Sequence, residues 1–243
     1  MERIDETGFG NIRVIQGERT GYGVDAVLLS AFAAGETGAT AIASGSAIAD
    51  LGTGSGIAAF ILHHKLDSVS IIGYDVQNIA VDRAVRACSM NGLEKDISFI
   101  CADIRDISGD GSFDAVVSNP PYFRRTPEEP GAAQPDERYI ARHETTADIE
   151  AFAECASSML KKGGSFYLVH RPDRLADILC ALRAAGVEPK EMQLVVPSEG
   201  KSANIVLIRG VKGAGPELRI LPDIAVHTEN GGYSPEILRI YER

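Results

Sequence analysis

The fold of this sequence is decided by one stretch, Asp50-Leu51-Gly52-Thr53-Gly54-Ser55-Gly56. It closes a short apolar run, residues 47–51, and opens a run with helical character. Glycines at a turn from strand to helix let the backbone approach a ligand closely, and a helix N-terminus attracts anionic or polar groups. The stretch therefore predicts a nucleotide-type loop at the end of a first strand. A glycine-rich turn without a ligand is the alternative.

Outward from this loop, the chain alternates short apolar runs with helical patterns, which is typical of a parallel sheet covered on both faces. The last two candidate strands have no convincing helix between them, so we expect them to form an antiparallel hairpin at one edge. We therefore predict an α/β fold with a Rossmann-like, seven-stranded, mostly parallel sheet. The candidate strands are residues 47–51, 69–74, 97–101, 113–118, 165–170, 191–196 and 204–209.

Two helical patterns between the strands have a clear apolar face. One ends at Asn91-Gly92, a pair suited to the left-handed conformation of a helix C-cap. The other spans about residues 147–160, and its start, Thr145-Thr146-Ala147-Asp148, fits a capping box.

We expect residues 1–243 to form a single domain, because that length suits one large α/β domain with a sizeable core. Residues 1–44 are expected to pack on this core as an N-terminal extension with a short strand near 12–15 and an apolar helix over 26–34. Residues 121–145 follow the fourth strand and are rich in proline and charge. Long loops in compact domains often carry function, so we interpret this segment as a substrate loop.

The composition argues against several classes of function. The apolar fraction is 44%, and no stretch approaches the roughly 20 apolar residues that span a bilayer. No basic start followed by an apolar run indicates a signal peptide, so we expect a cytoplasmic protein. A net charge of -10 gives no global attraction for a phosphate backbone, so a nucleic-acid partner would need a local basic face. No CxxC pair indicates a zinc site or a disulfide framework among the four cysteines, Cys88, Cys101, Cys155 and Cys180.

The spacing of the glycines indicates the kind of cofactor. It reads GxGxG, whereas dinucleotide enzymes have GxGxxG, and Asp50 stands two positions before Gly52. A pyrophosphate would be a poor neighbour for this carboxylate, but the ammonium group of a methionine moiety would not. We therefore predict S-adenosylmethionine as the cofactor, with Asp50, Gly52, Gly54 and Gly56 in its site.

Two further strand ends offer contacts to a nucleoside. Asp75 ends the second strand 19 residues after Gly56, the spacing at which a carboxylate accepts ribose hydroxyls, and Val76 follows it. Beyond the third strand, Asp103 is a candidate acceptor for the adenine amino group, and the Ile104 N–H is a candidate donor to a ring nitrogen. Helix capping by Asp75 and a plain turn role for Asp103 remain alternatives.

The fourth strand is followed by Asn119-Pro120-Pro121-Tyr122, at the edge where open α/β sheets bind ligands. The two prolines stiffen the chain and remove donors, which leaves carbonyl oxygens and the Asn119 amide oxygen as acceptors. Such acceptors fit a conjugated NH2 group, whose nitrogen becomes nucleophilic when both N–H groups donate. Tyr122 would stack on the planar group. We predict a catalytic role for these four residues, with Asn119 also contacting the cofactor; a Pro-Pro turn without catalysis is the alternative.

Together these motifs resemble those of class I methyltransferases that modify amino nitrogens. Within that class the chain is similar, over nearly its full length, to the bacterial valine tRNA (adenine-37-N6)-methyltransferase family. The supporting features are Gly21-Tyr22-Gly23-Val24-Asp25-Ala26-Val27-Leu28-Leu29, Ala141-Arg142-His143-Glu144 and Tyr233-Ser234-Pro235-Glu236-Ile237. The family often has bulkier or more polar residues than Gly23-Val24. The resemblance implies a class I methyltransferase fold, S-adenosylmethionine as methyl donor and a tRNA partner methylated at adenine N6.

The resemblance also implies further site residues. Asp25 is expected to start a helix whose end helps to hold the cofactor carboxylate, and a plain N-cap role is equally open. The residues expected to contact RNA are Phe123, Arg124, Arg125, Arg142 and His143. Because acidic residues stand among them, a solvated loop of mixed charge is the alternative.

Three other functions remain open from the residues. Release-factor methyltransferases share the tetrad and act on a glutamine amide, but they place a helical domain before the glycine loop, where this chain has no such pattern. A noncatalytic cofactor-binding scaffold would not need the intact tetrad. An NAD-linked oxidoreductase is compatible with the fold, but the glycine spacing and the tetrad argue against it.

Overall fold

The computed structural model describes residues 2–17, 22–123, 139 and 147–242. An N-terminal hairpin consists of β1 (Glu2–Glu6) and β2 (Arg13–Gly17). The central sheet consists of β3 (Ala47–Leu51), β4 (Ser70–Asp75), β5 (Ile97–Cys101), β6 (Phe113–Ser118), β7 (Leu160–His170), β8 (Val187–Ser198), β9 (Ile205–Lys212), β10 (Arg219–Ile220) and β11 (Ile224–His227). The α-helices are α1 (Val24–Ala33), α2 (Ile57–Lys65), α3 (Asn78–Asn91), α4 (Ile149–Met159), α5 (Leu175–Ala184) and α6 (Pro235–Ile240).

The central sheet confirms the predicted α/β fold. Its order is β10-β8-β9-β7-β6-β3-β4-β5, with β11 also paired to β8. The seven predicted strands correspond to β3 through β9. Strand β9 lies between β7 and β8 and is antiparallel to both, whereas the other neighbouring pairs are parallel. The predicted hairpin therefore exists, and the short strands β10 and β11 extend the sheet beyond it.

The inner strands are apolar because helices cover both faces of the sheet. Successive residues of β3 alternate between two buried clusters: Ile48 belongs to the cluster that includes α1 and α2, and Ala49 belongs to the one that includes α4 and α5. Helix α1 is buried at every residue from Ala26 to Ala33. It packs against α2 and β7, which explains why its sequence is apolar all round rather than on one face.

The register of the sheet brings three strand ends to one edge. Leu51 of β3 pairs with Tyr74 of β4 on one side and with Ser118 of β6 on the other. The Ser118 hydroxyl donates to the Leu51 carbonyl at 2.7 Å, which ties β6 to β3 at this edge. Because the strands are parallel, the residues that follow them meet there, and these are the glycine loop, Asp75 and Asn119.

Helix ends follow the local sequence with one correction. Helix α3 ends at the predicted Asn91-Gly92, where Gly92 has φ of 69°. Helix α4 begins at Ile149, and the Asp148 carboxylate caps it by accepting the Ala151 N–H at 3.0 Å. The predicted capping box had Thr145 as N-cap and Asp148 as the third helical residue. This prediction is wrong, because Asp148 is itself the N-cap, a position that Asp favours.

Hydrogen bonds hold the N-terminal hairpin against α3 at two places. Glu2 accepts hydrogen bonds from Arg83 Nε at 3.0 Å and Arg86 Nη2 at 2.8 Å. Near the other end of the helix, the Asn91 side chain accepts from the Arg13 N–H at 3.0 Å and donates to the Arg13 carbonyl at 2.7 Å. The strand predicted near residues 12–15 is β2, and β1 is an additional element.

Part of the predicted substrate loop, residues 124–138 and 140–145, lies outside the described residues. So do Thr145 and Thr146 of the predicted capping box. Within the described ranges, no helix is long and apolar enough to cross a membrane. The same ranges contain no group of three or more His, Cys, Asp or Glu side chains arranged to hold a metal ion.

Candidate active site

The glycines of the glycine loop have two different roles: some leave space for a ligand, and one allows close packing of side chains. Gly54 has φ of 55°, and a Cβ added there would meet no atom within 4 Å, so its surface stays open to a ligand. Gly56 has φ of 81° and precedes α2 as its N-cap; an added Cβ would lie 2.6 Å from Phe99 Cζ. Gly52 and Gly54 line both cavities described below, whereas Gly56 lines neither. The third glycine therefore serves helix packing.

Asp75 connects the end of β4 to the glycine loop. Its Oδ2 accepts the Gly54 N–H at 2.8 Å, and its Oδ1 accepts the Gln77 N–H at 2.8 Å. The carboxylate is largely buried, with 8% exposure. A carboxylate oxygen accepts more than one hydrogen bond, so these bonds are compatible with acceptance of ribose hydroxyls as well. The N-cap of α3 is Gln77, without a side-chain cap bond, so the capping interpretation of Asp75 is wrong, whereas the ligand interpretation fits this placement.

Two adjoining cavities lie on either side of the glycine loop. The hairpin-side cavity, about 200 Å³, is lined by Gln16, Gly17, Tyr22, Gly23, Ala26, Thr53, Ser55, Ile57, Ala80 and Arg83. The strand-end cavity, about 110 Å³, is lined by Asp75, Val76, Ala102, Asp103, Ile104, Pro121, Ala147 and Phe152. Both are also lined by Gly52, Gly54, Gln77 and Asn119. A ligand with two chemically different ends can therefore lie across the loop.

The donors and acceptors of the two cavities fit S-adenosylmethionine. The strand-end cavity combines carboxylates with the apolar side chains of Val76, Ile104 and Phe152, which suits a ribose and a flat base. The hairpin-side cavity has the Arg83 guanidinium, glutamine side chains and loop backbone, which suit the charged amino-acid end. The adenosine half thus fits one cavity and the methionine half the other.

One residue of the predicted catalytic tetrad, Asn119, lines both cavities. The Tyr122 hydroxyl lies 2.6 Å from Asn119 Oδ1 and 2.8 Å from Asp25 Oδ2. Burial raises the pKa of Tyr122 well above its usual value, and the neighbouring Asp25 carboxylate adds to this rise. The phenol is therefore neutral at physiological pH, and its single proton lies between two acceptor oxygens. Pro121 lines the strand-end cavity, and Pro120 is buried behind it.

Similarity to known proteins agrees with this geometry. A family model, the methyltransferase small domain, matches residues 26–135. A tRNA1(Val) (adenine(37)-N6)-methyltransferase of Porphyromonas gingivalis is 30% identical over 98% of this chain and 90% of its own length. The chain belongs to this family. Relatives of the same name in Bacteroides fragilis and Aeromonas salmonicida are 27% and 29% identical, each over 90% of this chain and 87% of the relative.

Membership of the tRNA1(Val) (adenine(37)-N6)-methyltransferase family makes the chain an S-adenosylmethionine-dependent methyltransferase, as predicted. Solved structures agree on the fold. A predicted O-methyltransferase from Agrobacterium tumefaciens aligns with a TM-score of 0.70, at 21% identity over 90% of this chain and 95% of that one. A geranyl diphosphate C-methyltransferase from Streptomyces coelicolor aligns with a TM-score of 0.56, at 14% identity over 76% and 77% of the two chains.

In this family member, the structure contradicts one of the two sequence interpretations of Asp25. The N-cap of α1 is Gly23, without a side-chain cap, and Asp25 lies in the first helical turn. The N-cap interpretation of Asp25 is therefore wrong, and its carboxylate shares the Tyr122 hydroxyl proton with Asn119 Oδ1. Burial raises the pKa of Asp25. The first turn of α1 reaches the hairpin-side cavity through Gly23 and Ala26 instead.

Asp50 lies beneath the glycine loop and lines neither cavity. Only 2% of the residue is exposed, and its Oδ2 accepts the Thr53 hydroxyl at 2.6 Å. Burial raises the pKa of Asp50 to about 7, against the lowering effect of the Thr53 bond. The predicted contact of Asp50 with a cofactor ammonium does not follow from this placement, because the side chain supports the loop from below.

Asp103 and Ile104 both line the strand-end cavity, as predicted. However, the Asp103 carboxylate is already engaged by Arg105: Oδ1 accepts its backbone N–H at 3.0 Å, and Oδ2 accepts Nη2 at 2.6 Å. The hydrogen bond from Arg105 is the largest cause of the lowered pKa of Asp103. The turn interpretation of Asp103 is thus correct. Because Asp103 also lines the cavity, its contact with the adenine stays a prediction.

His170 is a site neighbour that the sequence did not predict. Its ring centroid lies 5.1 Å from that of Tyr122, with 56° between the ring planes. The Arg171 N–H donates to His170 Nδ1 at 2.8 Å, so the proton of the neutral ring is on Nε2. Burial lowers the pKa of His170 to about 4. A neutral imidazole at the end of β7 therefore packs against Tyr122.

The predicted RNA-contacting residues are only partly described. Phe123 is 42% exposed, and the Arg171 guanidinium carbon lies 5.4 Å from the centroid of its ring. The other four, Arg124, Arg125, Arg142 and His143, lie outside the described residues. Phe123 thus remains accessible beside the tetrad.

Sequence reasoning missed the residues that reach the site from elsewhere. Gln16 comes from the N-terminal hairpin and Arg83 from the middle of α3, and neither stands in a recognisable motif. Phe152 appears in sequence as one residue of an apolar helix face. Gln77 could have been predicted as a site residue from the sequence. It stands two positions after Asp75, and residues that follow the strand ends of such a sheet lie at the edge where ligands bind.

Proposed function

We propose that this enzyme transfers the methyl group of S-adenosylmethionine to N6 of adenine 37 in the anticodon loop of tRNA1(Val). The observation that carries the proposal is the position of Asn119, which lines both cavities and presents Oδ1 beside Tyr122. The relatives with this name match nearly the whole chain. Because the proposed substrate is a tRNA, the enzyme is expected to act in the cytoplasm.

When bound, S-adenosylmethionine supplies an electrophilic methyl group on its sulfonium. Asp75 is positioned to accept the ribose hydroxyls, while Gly52 and Gly54 leave space for the ligand across the loop. Ile104 and Phe152 line the cavity assigned to the adenine, and Asp103 is proposed to accept from its amino group. Arg83 is the cation in the described part of the hairpin-side cavity and would face the carboxylate end.

On the acceptor side, Asn119 Oδ1 is proposed to accept one N–H of the target amino group. The Pro120 carbonyl is proposed to accept the other, because the Pro-Pro peptide holds that oxygen in a fixed direction. Localising the nitrogen lone pair in this way makes it nucleophilic only as the methyl group is transferred, which stabilises the transition state rather than the ground state. Tyr122 is proposed to stack on the adenine.

The adenine must leave its stack to enter such a site, since the reacting nitrogen is otherwise in the plane of stacked or paired bases. An anticodon loop presents its bases without a complementary strand, which lowers this cost. The residues proposed to hold the surrounding RNA are Phe123, Arg124, Arg125, Arg142 and His143.

The proposal is tested by incubating the protein with labelled S-adenosylmethionine and total tRNA from a strain that lacks the gene. Digestion of the tRNA should yield labelled N6-methyladenosine, and mapping should place it at position 37 of tRNA1(Val). A parallel reaction with a release factor tests the glutamine alternative. Label in the release factor and none in tRNA would contradict the proposed acceptor.

A further inference from the structure

A row of aromatic rings runs from the core to the surface beside the N-terminal hairpin. Tyr241 packs on the buried Phe9, with centroids 6.0 Å apart and 27° between planes. Tyr233 lies next to Tyr241 at 6.2 Å and 18°, and His227 lies next to Tyr233 at 5.2 Å and 15°. The rings are therefore nearly parallel along the row. Tyr233 is 47% exposed, so part of its ring faces solvent.

Two of these rings line an open groove, which we term the tyrosine groove. Its volume is about 570 Å³, and its lining is Arg3, Ile4, Asp5, Glu6, Gln16, Tyr22, Tyr233 and Tyr241. Gln16 and Tyr22 also line the hairpin-side cavity of the active site. The groove thus adjoins the hairpin-side cavity, although it was not part of the sequence-based prediction.

The position of Tyr233 is fixed by the backbone on both sides. It forms an isolated antiparallel bridge with His227 at the end of β11. The following residue, Ser234, donates its N–H to the Val226 carbonyl at 2.9 Å and caps α6 by accepting the Ile237 N–H. A ring held in this way loses little conformational freedom when a ligand stacks on it. The exposed part of the ring is therefore a preformed surface for a planar ligand.

The charges of the groove indicate which kind of ligand fits. Asp5 and Glu6 stand on one wall, and the Arg3 Nε is paired with Asp5 at 2.7 Å. These carboxylates disfavour a phosphate inside the groove, and the net charge of the chain is -10. A planar, uncharged group with hydrogen-bonding edges avoids this repulsion, because it stacks on tyrosine and meets the polar wall with its edge.

We infer that the tyrosine groove receives a nucleobase that flanks the target adenine, stacked on Tyr233. This inference rests on the proposed function. When the target base leaves the loop stack, its neighbours lose a stacking partner, and an aromatic surface next to the active site replaces it. Stacking also gives an acidic protein a source of RNA affinity that does not depend on phosphate contacts.

The test uses anticodon stem-loop RNA in which 2-aminopurine replaces a base next to the target adenine. Stacking on Tyr233 should quench its fluorescence when the parent protein binds. The Tyr233→Leu variant should lose this quenching and raise the KM for RNA at least fivefold, with kcat at saturating RNA and the cofactor Kd unchanged. The matched Tyr233→Phe variant keeps the ring and should behave as the parent.

The outcomes separate this inference from the proposed function. Methylation by the parent, with quenching and KM unchanged in the Tyr233→Leu variant, would overturn the tyrosine groove as a base site and leave the proposed function intact. Quenching that depends on Tyr233, without methylation of any tRNA, would support the groove and contradict the proposed reaction. Absence of both methylation and quenching in the parent would overturn both.

Discussion

The hydroxyl of Tyr122 shares its proton between Oδ1 of Asn119 at 2.6 Å and Oδ2 of Asp25 at 2.8 Å, and the Asn119 oxygen is the one that is proposed to accept from the target amino group. An amide oxygen has two lone pairs, so it can accept both hydrogen bonds. The phenol therefore orients the acceptor before the substrate arrives. Tyr122 thus has two separable roles, one for the hydroxyl and one for the ring.

Separate substitutions measure these two roles. Tyr122→Phe keeps the ring but releases Asn119, so kcat should fall roughly tenfold, the effect of losing one hydrogen bond of about 1.4 kcal/mol. Tyr122→Ala also removes the stacking surface, which is worth a further ~1–3 kcal/mol. Steady-state kinetics on the identified tRNA would measure both. Full activity of the Tyr122→Phe variant would leave stacking as the only role of this residue.

Asn119→Ala removes the proposed acceptor of the target N–H. Because this bond is stronger in the transition state, kcat should fall by roughly two to three orders of magnitude, while most of the cofactor affinity remains. Single-turnover kinetics and calorimetry with the cofactor would measure the two effects. Asn204→Ala, an exposed asparagine outside both cavities, is the matched control. Parent-like turnover by a folded Asn119→Ala protein would refute the mechanism.

Asp75→Ala should weaken S-adenosylmethionine binding by roughly 1–3 kcal/mol through loss of charge-assisted hydrogen bonds. The structure adds a second cause, because Asp75 also fixes the Gly54 N–H. Calorimetry would give the affinity, with Asp67→Ala as control since Asp67 is exposed and follows the end of α2 that is remote from the loop. NADH should not compete. Unchanged affinity in the Asp75→Ala variant would remove this carboxylate from the cofactor site.

Asp50 should make stability depend on pH. Its folded pKa is raised from 3.8 to about 7, so the folded state favours the protonated acid. The stabilising contribution is fully present below about pH 4 and is lost as pH rises through about 7. Relative to the parent, Asp50→Asn should therefore gain stability with rising pH, by at most about 4 kcal/mol.

Urea unfolding between pH 4.5 and 8 would measure this difference. The Asp67→Asn variant is the matched control, because its carboxylate is exposed and should leave the pH profile of the parent unchanged. A constant difference between parent and Asp50→Asn across this range would contradict the assignment of the pH dependence to Asp50.

Reversal of Arg124, Arg125 and Arg142 to glutamate should raise the KM for tRNA and reduce its salt dependence, with little effect on cofactor binding. The expected cause is the loss of phosphate contacts on a protein whose overall charge is unfavourable for RNA. The matched control reverses Lys95, Lys162 and Arg183, which lie near the edge where the strands begin. Equal KM values for the triple variant and the parent would place the RNA path elsewhere.

The strand-end half of the site was predictable because strand order alone brings the ends of parallel strands together. Asp75 is the last residue of β4, and Asp103 and Asn119 come shortly after β5 and β6; each stands in a recognisable turn or motif. Asp50 was the exception. Its position in the motif does not show which way its carboxylate points, because that direction is decided by burial and by the hydrogen bond from Thr53.

The hairpin-side half could not be predicted in the same way. Strand β1 reads Glu-Arg-Ile-Asp-Glu, which has no apolar period, and it forms because its backbone pairs with β2. Its attachment by Glu2 to Arg83 joins residues that are far apart in sequence and carry no motif. His170 likewise reaches Tyr122 only because β7 neighbours β6 in the sheet. Such contacts depend on packing between elements rather than on local pattern.

The position of β9 between β7 and β8 has a consequence for synthesis on the ribosome. Strand β7 ends at His170 and β9 begins at Ile205, so roughly 35 residues emerge before the outer edge of β7 gains its partner. At about 5–20 residues per second this takes about 2–7 seconds, and in the last part of this interval β8 has emerged and also lacks the antiparallel strand that joins it to the sheet. Two unpaired strand edges are then exposed on one nascent chain, a state prone to aggregation. Slow codons within β9 should lengthen this interval and increase the demand for chaperones.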